Sequence, residues 1–213
     1  MAATARPASS KRPESRRRIL PAEVRIDDLM AAAADLFIAR GVEATTVDDI
    51  VAKAGVAKGT FYHYFKTKSD VIAALRERFA QDFVERVASV VEPCAATDHP
   101  ARLTAWIRGA VETYLHNYQL HDVVFHDFTH SQRRSREKSI VIAQLEALLM
   151  AGERDGAWRF PHARAAATII FDGMHGVVDD AIAAGLRDPE PLCGPLVDMF
   201  TRMLSPSSQQ DSG

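Results

Sequence analysis

The sequence predicts an all-α protein of about nine helices. A compact unit of short helices comes first, and a larger helical part follows. Three observations carry this. Apolar residues recur at three- and four-residue steps from Ile26 to Met203. No alternating strand pattern bounded by hairpin turns interrupts them. Residues that start and stop helices punctuate the chain: Thr46 and Thr67 as caps, and Gly41, Gly55, Gly156 and Gly185 as terminators.

The first helix is expected from about Ala22 to Arg40, with Ile26, Leu29, Met30, Ala33, Leu36 and Phe37 on one face. Thr46 opens a second helix, with Asp49 three residues on, as in a capping box with Asp in place of Glu. A third short helix covers Lys58 to Tyr64, and Thr67, with Asp70, caps a fourth that runs to about Val91. Further helices are expected over Pro100–Tyr118, Asp122–His130, Arg134–Arg154, Pro161–Ala184 and Pro191–Leu204. Residues 1–20, rich in Ala, Ser, Pro and Arg, and residues 205–213 read as disordered.

Composition narrows the function. The 213 residues are 47% hydrophobic and 25% charged, enough to bury a sizeable core. Two cysteines, Cys94 and Cys193, with no Cys-x-x-Cys, imply a reducing compartment and hence the cytoplasm. No apolar run is long enough to cross a membrane, and no secretory signal opens the chain. The net charge of −2 hides an asymmetry. Residues 1–70 hold 12 Lys/Arg and 9 Asp/Glu, whereas residues 71–213 hold 14 and 19. A basic N-terminal part on an acidic remainder suits a protein that meets a polyanion at one end; charge alone equally fits a solvated tail. No nucleophile elbow, phosphate-binding loop or dinucleotide fingerprint is present.

The segment Thr46–Phe65 packs a helix, a three-residue turn and a helix into twenty residues. Such a pair needs the first helix as its support, and the three together follow the helix-turn-helix plan. The third helix and its exit carry Lys58, Gly59, Thr60, Tyr62, His63, Tyr64, Lys66 and Lys68. Cations, hydroxyls and aromatic edges in this density suit a phosphate-lined groove, while Phe61 and Phe65 anchor the helix inward. Gly59 costs about 1 kcal/mol inside a helix. It is understandable where a side chain would hold the helix away from a DNA backbone. On spacing alone, Tyr62 and Tyr64 also fit surface aromatics without a partner.

The stretch Ile26–Leu75 closely resembles the DNA-binding domain of the tetracycline-repressor (TetR) family of bacterial regulators. The matching pieces are Ala34-x-Leu36-Phe37, Gly41-Val42-x-x-Thr45-Thr46-Val47-x-x-Ile50-Val51, Ala54-Gly55-Val56 and Lys58-Gly59-Thr60-Phe61-Tyr62-His63-Tyr64-Phe65-Lys66-x-Lys68. The resemblance implies no enzymatic activity, a double-stranded DNA operator as partner, and a cytoplasmic regulator. It also implies roles. Thr45 and Thr46 would touch phosphate at the start of the second helix. Lys58, Thr60 and His63 would approach base edges or backbone in the major groove, Tyr62 and Tyr64 phosphate and sugar, and Lys68 phosphate. Ala57 departs from the Ser or Thr the family often has before the third helix, at a typical cost of about 0.5–2 kcal/mol for the missing cap. The basic arm, Lys11–Arg18, could reach an adjacent groove.

The resemblance further divides the chain into residues 1–20 as basic arm, 21–67 as DNA-binding domain, 68–204 as ligand-binding and dimerisation domain, and 205–213 as tail. The last two helices carry Ala165, Ala166, Ile169, Ile170, Gly173, Met174, Gly176, Val177 and Ala181, then Leu192, Leu196, Met199, Phe200 and Met203. They suit a homodimer interface or an internal core, and the resemblance favours the dimer. Trp106, Tyr114, Tyr118, Phe125, Phe128 and Phe171 are candidate walls of a pocket for an unknown small-molecule effector. Ligand binding is then expected to shift the fourth helix and relieve repression.

A second constellation gives a competing expectation. Asp122, His126 and His130 fall at i, i+4 and i+8, and His175 could join them from a later helix. Imidazole and carboxylate suit a divalent metal such as Zn, Ni or Fe, and the alternative function is an all-helical metal-dependent enzyme. The same residues fit solvated polar faces. No cofactor is required by the DNA-binding reading.

Overall fold

The structure, a computed structural model, describes residues 22–125 and 135–204. Among these residues it contains eight helices: α1 Ala22–Arg40, α2 Val47–Ala54, α3 Lys58–Tyr64, α4 Lys68–Val91, α5 His99–Phe125, α6 Arg136–Arg154, α7 Ala163–Ala183 and α8 Glu190–Leu204. The expected basic arm and C-terminal tail lie outside the described residues.

Local signals set the N-terminal unit. Thr46 accepts from the Asp49 backbone N–H, and Asp49 returns the bond to the Thr46 N–H, closing the capping box. Gly55 ends α2 in the left-handed region, at φ 66°, which is cheap for glycine. Thr67 and Asp70 repeat the box at the start of α4. Ala57 provides no side-chain cap, so α3 is held by burial of Phe61 and Phe65.

Two apolar clusters organise the chain. The first, in the head, joins Leu29, Ala33 and Phe37 of α1 to Ile50 and Val51 of α2 and to Phe61 and Phe65. It continues past the expected boundary at residue 67, because Val71 and Leu75 of α4 belong to it. The second gathers the inner faces of α4 to α8.

The expected break between Tyr118 and Asp122 is absent: α5 runs unbroken to Phe125, so eight helices replace nine among the described residues. Asn117, Gln119 and His121 are polar but break no helix, and Leu120, Val123 and Val124 carry the apolar stripe onward. Val124 is fully buried in the head's cluster, where Leu120, Val123 and Phe125 pack beside it. The Arg76 side chain of α4 donates to the Val124 carbonyl. The far end of α5 is therefore built into the head.

Lys68 takes a role other than the expected phosphate clamp. Its ammonium donates to the carbonyls of Val42 and Thr45, each at 2.8 Å, and so ties the α1–α2 loop to the start of α4. Thr45 is fully buried, and its hydroxyl donates to the Gly41 carbonyl at 2.8 Å. It cannot touch DNA in this conformation. Lys68→Ala is expected to destabilise the head by about 1–2 kcal/mol. The slope of log affinity for DNA against log salt should stay unchanged, because no phosphate contact is lost. Thermal melts and salt titrations check this; a slope shallower by about 0.9 with normal stability would restore the phosphate role.

Candidate DNA-reading face and the cavity behind it

α3 exposes one face. Lys58, Gly59, Tyr62 and His63 are exposed, Thr60 and Tyr64 half-buried, and Lys66 exposed just beyond the helix. Tyr62 is 54% exposed, unusual for a large aromatic on a helix only seven residues long. A Cβ placed on Gly59 would meet nothing of the chain within 4 Å. Internal packing therefore does not demand glycine there.

The charges on this face are tethered lightly. Lys58 pairs with Asp48 of α2 at 2.7 Å, with both side chains more than half exposed. Such a pair is worth about 0–1 kcal/mol, so phosphate can take the ammonium at little cost. Arg40 pairs with Asp49 at 2.5 Å. Hydrogen bonds from Thr46 and the Arg40 charge hold the Asp49 carboxyl below its ordinary value. Thr46 itself is exposed, but its hydroxyl and backbone N–H both donate to Asp49, at 2.6 and 2.9 Å. A phosphate approaching Thr46 therefore competes with that carboxylate. Of the expected set, Lys58, Gly59, Thr60, Tyr62, His63, Tyr64 and Lys66 share the α3 side of the head, whereas Thr45 is buried and half-buried Lys68 bonds to the carbonyls of Val42 and Thr45.

Behind the head, α4 to α7 enclose a cavity of about 410 Å³. Phe79 and Phe83 of α4, Tyr114 and Phe125 of α5, and Phe171 of α7 form aromatic walls, closed by Val141 and Met174. Three of the expected wall residues, Tyr114, Phe125 and Phe171, are thus brought together. Trp106 is not one of them. It is buried between helices, and its indole N–H donates to Gln144 Oε1 at 3.1 Å while Gln144 donates to the Val84 carbonyl. Tyr118 lies outside as well, under the Arg187 guanidinium at 4.4 Å from its ring centroid. Phe128 lies outside the described residues.

A polar cluster stands in the cavity wall. Tyr114 donates its hydroxyl proton to Asp179 Oδ1 at 2.5 Å. Its oxygen sits 3.2 Å from His121 Nδ1, and its ring stacks on His175 at 4.4 Å between centroids. Burial lowers His121 to about 4, assisted by His175, and lowers His175 as well, so both rings are neutral near pH 7. Burial, with Asp179, raises the Tyr114 phenol. His121, Phe79 and Phe83 line the cavity but were not in the expected set. The signal was there: Tyr114, Tyr118, His121 and Phe125 follow each other at steps of four, three and four, one stripe of α5.

The expected metal set is only partly visible. Asp122 and His175 line the cavity, while His126 and His130 lie outside the described residues. Among the described residues, no group of three or more His, Cys, Asp or Glu is arranged to hold a metal ion. No helix of the described residues is long and apolar enough to cross a membrane.

An exposed short helix set by a two-helix support, with a cavity-bearing bundle behind it, defines a helix-turn-helix transcription regulator. The family model for bacterial regulatory proteins of the tetR family matches residues 29–75. The chain is 27% identical over 164 residues to the transcriptional repressor KstR2 of Mycolicibacterium smegmatis, covering 72% of each chain. It is 26% identical over 189 residues to the transcriptional activator FasR of the same organism, covering 88% of this chain and 82% of that one. Among solved structures, FadR of Bacillus subtilis in complex with stearoyl-CoA superposes with a TM-score of 0.71 at 21% identity, over 82% of this chain and 97% of that one. Residues 29–75 thus carry the tetR-family domain, and the helical bundle behind them shares the fold of these neighbours. These relatives are transcription regulators rather than enzymes, so the metal-dependent enzyme reading is set aside.

Tyr62→Ala should lower DNA affinity at least tenfold with stability changed by no more than about 0.5 kcal/mol, since the side chain is mostly in water. Lys66→Ala should flatten the salt slope by about 0.9. Gel shifts at several salt concentrations check both. The half-buried His121 and His175 set an acid limit. Their folded-state pKa values lie below the unfolded value near 6.5, so the unfolded chain binds protons that the folded chain refuses. Stability should fall as pH drops from about 6.5 to 4, by roughly 3 kcal/mol for His121 alone. His121→Gln should remove most of that slope in melts across this window; an unchanged slope would show that other groups set it.

Proposed function

We propose that the chain is a homodimeric, cytoplasmic repressor that grips a near-palindromic DNA operator and lets go when a small molecule fills the cavity. The observation that carries the release mechanism is the shared end of α5. His121, Asp122 and Phe125 line the cavity, and Leu120, Val123 and Val124, interleaved with them, pack in the head's core. A ligand that displaces the cavity face of this turn also displaces its head face, and Arg76 passes the movement to α4. Differential binding to the two poses sets the coupling, typically about 1–3 kcal/mol, or about 5- to 150-fold in DNA affinity.

Dimerisation is supported by an outward stripe on the last two helices. Ala166, Ile170 and Met174 point inward, as do Leu196 and Phe200. Ala165, Ile169, Gly173, Gly176 and Val177 line the opposite side of α7, and Met199 and Met203 that of α8. Ile169 is 56% and Met199 65% exposed, which is poor placement for apolar side chains unless a partner covers them. The glycines let a second helix approach closely. Two heads so joined would read two half-sites about one helical turn apart. Repression, rather than activation, is favoured by the KstR2 likeness.

Selection of bound sequences from random DNA tests the reading as a whole; a single enriched inverted repeat is expected, and no enrichment would overturn it. Ile169→Glu with Met199→Glu should give a monomer by light scattering, with normal helix content and DNA affinity down at least about a hundredfold. A dimer that survives both charges would place the interface elsewhere.

A further inference from the structure

The cavity wall carries a chemical bias that narrows its ligand. Among the described lining residues, carboxylates outnumber cations. Tyr114 has one hydroxyl proton and gives it to Asp179. The contact from His121 Nδ1 to the Tyr114 oxygen is then a donation by the ring, so neutral His121 carries its proton on Nδ1 and keeps Nε2 as an acceptor. The approach of the same Nδ1 to Asp122 Oδ1, at 3.6 Å, fits this tautomer. Asp122, Asp172, Asp179 and Glu137 place four carboxylates around the cavity. Among the described lining residues Lys138 is the one cation. It is committed to Asp172 at 2.5 Å and lies over the Phe171 ring at 5.6 Å. Five aromatic rings, those of Phe79, Phe83, Tyr114, Phe125 and Phe171, complete the wall.

We propose that this cavity takes a lipophilic cation: an apolar body that bears an ammonium or similar charged proton donor. The aromatic faces offer negative quadrupole density to the charge and apolar area to the body. The carboxylates near Tyr114 supply the counter-charge, and His121 Nε2 and Asp179 accept its protons. An anionic head would meet four carboxylates against one lysine among the described lining residues, so fatty acids and their coenzyme A thioesters are disfavoured. In this the chain departs from the structural neighbour that holds stearoyl-CoA. The assignment rests on the same reading of the cavity as a ligand site as the proposed function, but does not depend on occupancy changing DNA binding.

Calorimetry on the full chain at pH 7.5 with decylamine, decanoate and decanoyl-CoA tests it, since the three share a chain and differ in head charge. Decylamine is expected to bind at least tenfold more tightly than either anion. Asp122→Asn with Asp179→Asn should weaken decylamine at least tenfold and leave decanoate no weaker. Should the double variant melt early, Asp122→Asn alone, at an exposed position, should still weaken decylamine at least threefold. Tighter binding of decanoate or decanoyl-CoA, amine binding indifferent to the Asn substitutions, or binding of none of the three would overturn the assignment. A gel shift on the selected operator separates the two claims. Tight, carboxylate-dependent amine binding with DNA affinity unchanged supports the ligand class and sinks the effector role.

Discussion

The last two turns of α5 have two faces, and both are buried in something. On one, Leu120 and Val124 fill the head's core; on the other, His121 and Phe125 close the cavity. A helix is stiff on the scale of one turn, so neither face moves without the other. Burying a side chain such as Val124 contributes about 1.5–3 kcal/mol, enough to keep head and bundle in register in the resting state. That joint, more than any single side chain, makes one object of the reading head and the bundle.

Three acidic residues of the head are occupied locally: Asp49 by Thr46 and Arg40, Asp70 by Thr67 and the Lys66 backbone, Asp48 by Lys58. Two of these stabilise helix starts, where a negative charge belongs. The pairing also lowers the cost of placing carboxylates on a surface that approaches a polyanion. Lys68, buried at its tip among carbonyls, spends its charge on geometry instead, fixing the loop that aims α2. Order in α3 comes from its two inward phenylalanines, because Ala57 leaves its first turn without a side-chain acceptor.

Much of this was legible in the sequence because it is encoded at short range. Capping boxes, terminal glycines and three- to four-residue apolar steps fixed α1 to α4, and the family resemblance attached DNA to them. The failures share a cause. Thr45 and Thr46 are chemically alike and adjacent; only the cap geometry turns one inward and the other out. The tip of Lys68 bonds to carbonyls 26 and 23 residues back, which no local pattern encodes. Trp106 and Tyr118 sit on the same helix as Tyr114, and which aromatic meets space rather than a neighbour depends on where α6 and α7 cross. The break expected in α5 does not occur, because His121 and Asp122 line the cavity while Leu120, Val123 and Val124 carry the apolar stripe into the head.

Splitting the apolar residues of α7 and α8 into two stripes gives the last constraint. Ile169 and Ile170 are adjacent and point opposite ways, so one helix closes the ligand bundle and offers the proposed dimer face at once. Phe171 and His175, one turn apart on the edge between those faces, line the cavity. A ligand pressing on that edge works against a helix held on its inner side by Ile170 and Met174 and, in the proposed dimer, on its outer side by a second copy. The wall at α7 is then the rigid one. The wall at α5 ends at Phe125 and is backed by the small head through Leu120, Val123 and Val124 and the Arg76 hydrogen bond. In the proposed release, force applied between the two walls moves the one at α5, which is the side that carries α3.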